Sequence, residues 1–149
     1  EYFISAGAQS SRTGTYQLTM TTDDYGSTLA TAGNLNVGET IIGQIESPFD
    51  SDLFKTPLLS NTTYQIDLIA NSQTPTVDTY LARVFNSNGD NATILDKDGI
   101  RSTITFNDDG GTGSNSQLEF TPLNDGVYYI SANLFGSEIG YYDISIIAL

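Results

Sequence analysis

The 149-residue chain has no cysteine and no histidine, and only 5 of its side chains are Lys or Arg. Without cysteine there is no disulfide, no thiolate metal site and no cysteine nucleophile, so stability must come from elsewhere. Without histidine the Ser-His-Asp arrangement, the usual zinc sites and the commonest general base are missing, which argues against an enzyme. The few cations face 18 Asp and Glu, a formal net charge of -13, the wrong sign of field for a nucleic-acid partner. No apolar run approaches the roughly 18 residues of a membrane span, and no signal peptide is visible. Lack of cysteine does not by itself fix a compartment. Acidity and an internal repeat are what point to a secreted or bacterial cell-surface protein.

What is present is a foldable composition. Hydrophobic content of 38% and aromatic content of 11% are too high for a disordered acidic tail, and the length suits one compact domain. Short alternating runs of Tyr, Thr, Ile, Val and Phe are broken by Gly, Asn, Asp and Ser clusters. The pattern predicts strands at residues 2–7, 15–21, 40–46, 52–59, 63–70, 79–86, 93–95, 102–106, 117–121, 127–134 and 141–148. In the run 63–70, Tyr64, Ile66 and Leu68 share one face, and Gln65 and Asp67 the other. Many such strands with one apolar face have to pair as two packed sheets or a closed barrel.

Residues 1–20 align without a gap on residues 127–146, Glu1 falling on Val127, an offset of 126 residues. Tyr2, Ile4, Ser5, Ala6, Gly14 and Tyr16 meet Tyr128, Ile130, Ser131, Ala132, Gly140 and Tyr142, and Phe3, Leu18 and Met20 meet Tyr129, Ile144 and Ile146. Two divisions fit. In one, residues 1–21 are the C-terminal hairpin of a preceding repeat and residues 22–149 a complete unit. In the other, 1–21 is the N-terminal part of the same sandwich. A lone hairpin is not stable in water, so either way 1–21 is expected to pack on the unit that follows.

Acidic residues gather at turns: Asp23-Asp24, Asp50-Ser51-Asp52, Asp96-Lys97-Asp98 and Asn107-Asp108-Asp109-Gly110-Gly111. Calcium takes six to eight oxygens from carboxylates, carbonyls and water, which such loops supply. None is a complete EF-hand loop. Asp also favours turns without any metal, but carboxylates brought together on folding repel unless a cation joins them.

An ordered signature runs from Asp23-Asp24-Tyr25-Gly26-Ser27-Thr28 through Gly43-Gln44-Ile45-Glu46, Asp50-Ser51-Asp52-Leu53-Phe54, Asp78-Thr79-Tyr80-Leu81 and Asn107-Asp108-Asp109-Gly110-Gly111. It ends on Gly126-Val127-Tyr128-Tyr129-Ile130 and Gly140-Tyr141-Tyr142-Asp143-Ile144. This order resembles the bacterial pre-peptidase C-terminal domain family, which includes the collagen-binding domains of collagenases. The resemblance implies a jelly-roll-like antiparallel β-sandwich, calcium as the cofactor, and an accessory or adhesion module beside a protease or within a surface protein. It also implies a calcium site where an acidic segment meets the Asp-x-Asp strand: Asp24 with Asp23, and Asp52 with Asp50. Asp78, Asp108 and Asp109 form a second candidate set.

The partner expected on this reading is an extracellular polymer, glycan or peptide, or an adjacent repeat. Tyr16, Tyr64 and Tyr142 are expected in the core, and Tyr128 and Tyr129 on opposite faces. Phe135, in the Leu134-Phe135-Gly136-Ser137 turn, is the candidate for an exposed ligand contact. Two alternatives stay open: a purely structural spacer, and a polysaccharide-acting enzyme using paired carboxylates, for which a separation of about 5–9.5 Å would suffice.

Overall fold

The alternation in the sequence carries into the architecture of the protein, a computed structural model that describes residues 3–8, 10–103 and 105–149. Among the described residues the strands are β1 (Gly33–Asn34), β2 (Thr40–Ile45), β3 (Asp52–Leu58), β4 (Tyr64–Ala70) and β5 (Thr79–Phe85). They continue as β6 (Ile94–Asp96), β7 (Arg101–Ser102), β8 (Ser116–Pro122), β9 (Gly126–Leu134) and β10 (Gly140–Ala148). One sheet has the order β1-β3-β9-β5 and the other β2-β10-β4-β8-β6-β7, and neither closes on itself. β1 runs parallel to β3, and the other strand pairings are antiparallel. The chain is therefore an all-β sandwich, as its alternation predicts. No helix among the described residues is long and apolar enough to cross a membrane.

The inner faces are those the alternation marks. Tyr64, Ile66 and Leu68 of β4, and Tyr142, Ile144 and Ile146 of β10, meet Phe54, Tyr128, Ile130 and Leu81 of the facing sheet in one core. Each fully buried side chain of this size contributes roughly 1.5–3 kcal/mol, against about 1 kcal/mol net for a typical hydrogen bond. The core therefore sets the architecture, and the ladders set the register. Tyr128 is buried and Tyr129 half-buried, on opposite faces of β9 as expected.

The hairpin expected at residues 127–146 is instead an arch: β9 and β10 are joined by a short turn but belong to different sheets and do not pair with each other. β9 lies between β3 and β5, and β10 between β2 and β4. At the start of β10, Gly140 admits no side chain, because an added Cβ would stand 2.9 Å from both Thr74 Oγ1 and Val77 Cγ1. Thr74 uses that closeness: its Oγ1 donates to the Tyr141 carbonyl at 2.9 Å and accepts from the Tyr141 amide at 2.7 Å.

Four further expectations fail. The strands read at 2–7 and 15–21 do not form: residues 3–8 and 12–21 carry no strand, and Tyr2 lies outside the described residues. Nor does this segment pack on the sandwich, since residues 3–8 and 10–22 are exposed. Tyr16, expected in the core, is 69% exposed. The strand read at 102–106 is reduced to the end of β7; Ile104 lies outside the described residues, and Asn107 makes an isolated bridge to Leu81.

Candidate metal centre

The first acidic cluster is built by an aromatic anchor. Tyr25 packs tilted against Phe54 with ring centroids 4.6 Å apart, which holds the preceding Asp23 and Asp24 beside the start of β3. Backbone hydrogen bonds tie the same turn to β2: the Gln44 amide donates to Asp24 Oδ2 at 3.1 Å, and the Asp24 amide donates to Glu46 Oε1 at 3.2 Å. Asp52 opens β3 pointing inward and is fully buried. Its Oδ2 accepts a hydrogen bond from the Tyr142 hydroxyl. That hydroxyl reaches Asp52 because Tyr142 pairs with Gly43 on β2, where any Cβ would run into the tyrosine ring.

Asp23, Asp24, Glu46 and Asp52 each place a carboxylate oxygen within 4.8 Å of the others. Asp52 Oδ1 and Glu46 Oε2 are buried without a hydrogen-bond partner. Among the described residues the one ion pair joins Lys97 to Asp98 in an exposed turn, so no Lys or Arg pairs with the cluster. At this spacing two ionised carboxylates repel by about 1 to 3.5 kcal/mol, for an effective dielectric between bulk water and about 20. Protons respond accordingly. Burial, and then Asp24, Asp50 and Glu46 nearby, push Asp52 up to about 8 against the lowering effect of Tyr142. Burial, then the Asp50 carboxyl, then Asp24, raise Glu46 to about 7. Asp24 is raised by burial first and by Asp23 second, against the lowering effect of its backbone hydrogen bonds. The donors are hard carboxylate oxygens, two of them buried and unpartnered, a set suited to a divalent oxygen-seeking cation.

Two of the residues read as ligands on the Asp-x-Asp strand part company. Asp52 enters the cluster, while Asp50 lies outside the converging four. Asp50 Oδ1 accepts from the Ser51 amide at 2.8 Å, and its carboxyl faces that of Glu46. Glu46, which sequence reasoning did not single out as a ligand, completes the converging four. The signal for it was its position directly after the alternating run of β2 and six residues before Asp52.

At the second candidate site, Asp78, Asp108 and Asp109 bring oxygens within 4.8 Å of one another. Asp78 directly precedes β5, and the Asn107 loop directly precedes β8 by way of two tight contacts. Asn107 Oδ1 accepts from the Gly110 amide at 2.7 Å and from the Gln117 amide at 3.0 Å. Buried Ser116 donates to the Asp108 carbonyl at 2.7 Å. Asp78 Oδ1 and Asp108 Oδ1 are buried and unpartnered. Burial raises both carboxyls, Asp78 also feeling Asp108, Asp109 and Glu138.

Phe135 is 54% exposed, as its turn suggests. Tyr80 stands edge-on to it at 6.5 Å and tilted to Phe106 at 6.5 Å, so the three rings form one aromatic corner. The Phe135 amide donates to the Asp78 carbonyl at 2.8 Å, which puts the corner beside the second acidic set.

No protein-family model and no curated protein matches the sequence. Solved structures do. The chain is similar to the pre-peptidase C-terminal domain of collagenase from Bacillus anthracis, with a TM-score of 0.54 and 13% identity over 77% of this chain and 93% of that one. It is similar to PliG of Aeromonas hydrophila, a periplasmic inhibitor of g-type lysozyme, with a TM-score of 0.53 and 12% identity over 79% and 97% of the two chains. The fold is thus that of the pre-peptidase C-terminal domain, the family whose motif order the sequence resembles.

Proposed function

We propose that this chain is a non-catalytic accessory or binding module of a secreted or bacterial surface protein, stabilised by calcium. The observation that carries the reading is Asp52: a fully buried carboxyl with an unpartnered oxygen, inside a ring of acids that no Lys or Arg neutralises. Asp23, Asp24, Glu46 and Asp52 would hold the ion, with Asp50 beside them. Asp78, Asp108 and Asp109 would hold a second one. Calcium would supply the positive charge that the folded acids lack. The fold supports a binding role in general terms, since it serves as a domain of a collagenase and as a lysozyme inhibitor. The partner on this reading is an extracellular polymer, glycan or peptide, or an adjacent repeat, with Phe135 in the aromatic corner as its contact.

Acid–base chemistry on a polysaccharide is the weaker reading. The carboxyls raised furthest are Asp52 and Glu46, yet Asp52 is sealed beneath Tyr142 and the free oxygen of Glu46 is buried. Both observations count against a role facing a substrate.

Thermal melting with chelator and then with calcium tests the proposal. Saturating calcium is expected to raise the melting temperature by several degrees, and Asp52→Asn to remove most of that rise. Identical melting with and without calcium would sink it.

A further inference from the structure

The segment ahead of Asp23 has the sequence of the β9–turn–β10 arch without the sheets that hold it. Residues 3–8 and 10–22 are exposed, Phe3 at 88% and Tyr16 at 69%, and among the described residues they pair with no strand. Residues 5–8 and 13–18 nevertheless face each other around an open space of about 440 Å³. Ser10 and Ser11 form the turn between them, as Gly136 and Ser137 form the turn between β9 and β10. The correspondence extends to the backbone. Ser10 has φ of 61° and its counterpart Gly136 has φ of 65°, a conformation that a serine rarely adopts.

The side chains follow the same register. Ile130, Ala132 and Leu134 face inward from β9, and their counterparts are Ile4, Ala6 and Ala8. Gly140, Tyr142, Ile144 and Ile146 face inward from β10, matched by Gly14, Tyr16, Leu18 and Met20. The half-buried Tyr141, Asp143 and Ser145 between them are matched by Thr15, Gln17 and Thr19, all polar. Seven aligned pairs are identical, and six of them fall on buried positions of the arch, the seventh being Ser11 on Ser137 in the turn. One of the six, Ser5 on Ser131, lies on the outer face of β9 and the other five face inward, a bias that resemblance by composition alone does not give.

This sandwich has no room for a second such arch, because β9 is flanked by β3 and β5, and β10 by β2 and β4. We infer that residues 3–20 are the closing pair of strands of a preceding copy of the same sandwich, one docking between strands of each of its sheets. Tyr16 takes there the place that Tyr142 has here, over a glycine and against a buried aspartate. The partner is a unit of this fold supplied by chain ahead of Glu1.

Placing residues 22–126 of this protein directly before Glu1 supplies such a unit and tests the inference by amide hydrogen exchange. In the chain as it stands, the amides of Ile4, Ala6, Tyr16 and Leu18 should exchange freely; in the extended chain they should gain at least 100-fold protection. A control carries residues 127–146 in place of 1–20, which gives the front unit its own arch. Protection in the control with free exchange in the native extended chain would overturn the inference. Tyr16→Ala should lower the front unit's melting temperature in the extended chain and leave the melting of the present chain unchanged. A fall in the present chain would count against the docking assigned here.

Discussion

At Asp52 the balance between burial and hydrogen bonding settles the proton. The Tyr142 hydroxyl favours the charged form, but burial and three neighbouring acids outweigh it, and the carboxyl titrates at about 8 against 3.8 in a free chain. Glu46 titrates at about 7 against 4.5. Between these values the folded, metal-free protein holds protons that the unfolded chain has released, so its stability must fall as pH rises. The contribution is complete below about pH 4 and is lost as pH passes through about 7 and then about 8. Calorimetry in chelator from about pH 5 to about pH 9 should therefore give a falling melting temperature, and saturating calcium should flatten the slope by replacing the protons. A metal-free melting temperature that rises over this range would contradict the assignment. Sequence reasoning reached Asp23, Asp24 and Asp52 because doubled or alternating acids stand out in a turn. Glu46 was missed because a single Glu closing an alternating run looks like an ordinary strand end. Its approach to Asp52 depends on how β2 and β3 cross between sheets, which spacing does not encode.

At the level of elements, β2 and β10 meet through a missing side chain. Tyr142 lies over Gly43, and Gly43→Ala would push a methyl group into the ring. Overpacking of this kind costs about 1–3 kcal/mol, which for a domain of this size lowers the melting temperature by roughly 3–10 °C. Calcium affinity should fall with it, since the displaced ring no longer aims its hydroxyl at Asp52; unchanged melting and binding in that variant would show that the contact is dispensable. The long strands β3, β4, β5, β8, β9 and β10 were legible because each carries apolar residues on one buried face, in clean alternation in β4 and β10 and interrupted by a bulge in β5. β1 was not, because two residues, Gly33 and Asn34, carry no period. Residues 2–7 and 15–21 teach the converse: the alternation is present in the sequence, but no strand forms among the described residues there, because a strand also needs a neighbour to complete its ladder.

For the whole molecule, the exposure of residues 3–8 and 10–21 means that they add little to its stability. Deleting residues 1–21 should leave the melting temperature within about 1 °C, whereas a large fall would place them on the sandwich after all. The position of β9 and β10 has another consequence. Both sheets receive an interior strand from residues after 125, so β3 and β5, and β2 and β4, stand as unfilled edges until the end of the unit is made. Contacts of such long sequence separation make folding slow, and open edges are where neighbouring units of one chain exchange strands. A protein built of these units in series would have to time its own emergence, each sandwich closing on its own final arch before the next offers an equivalent one.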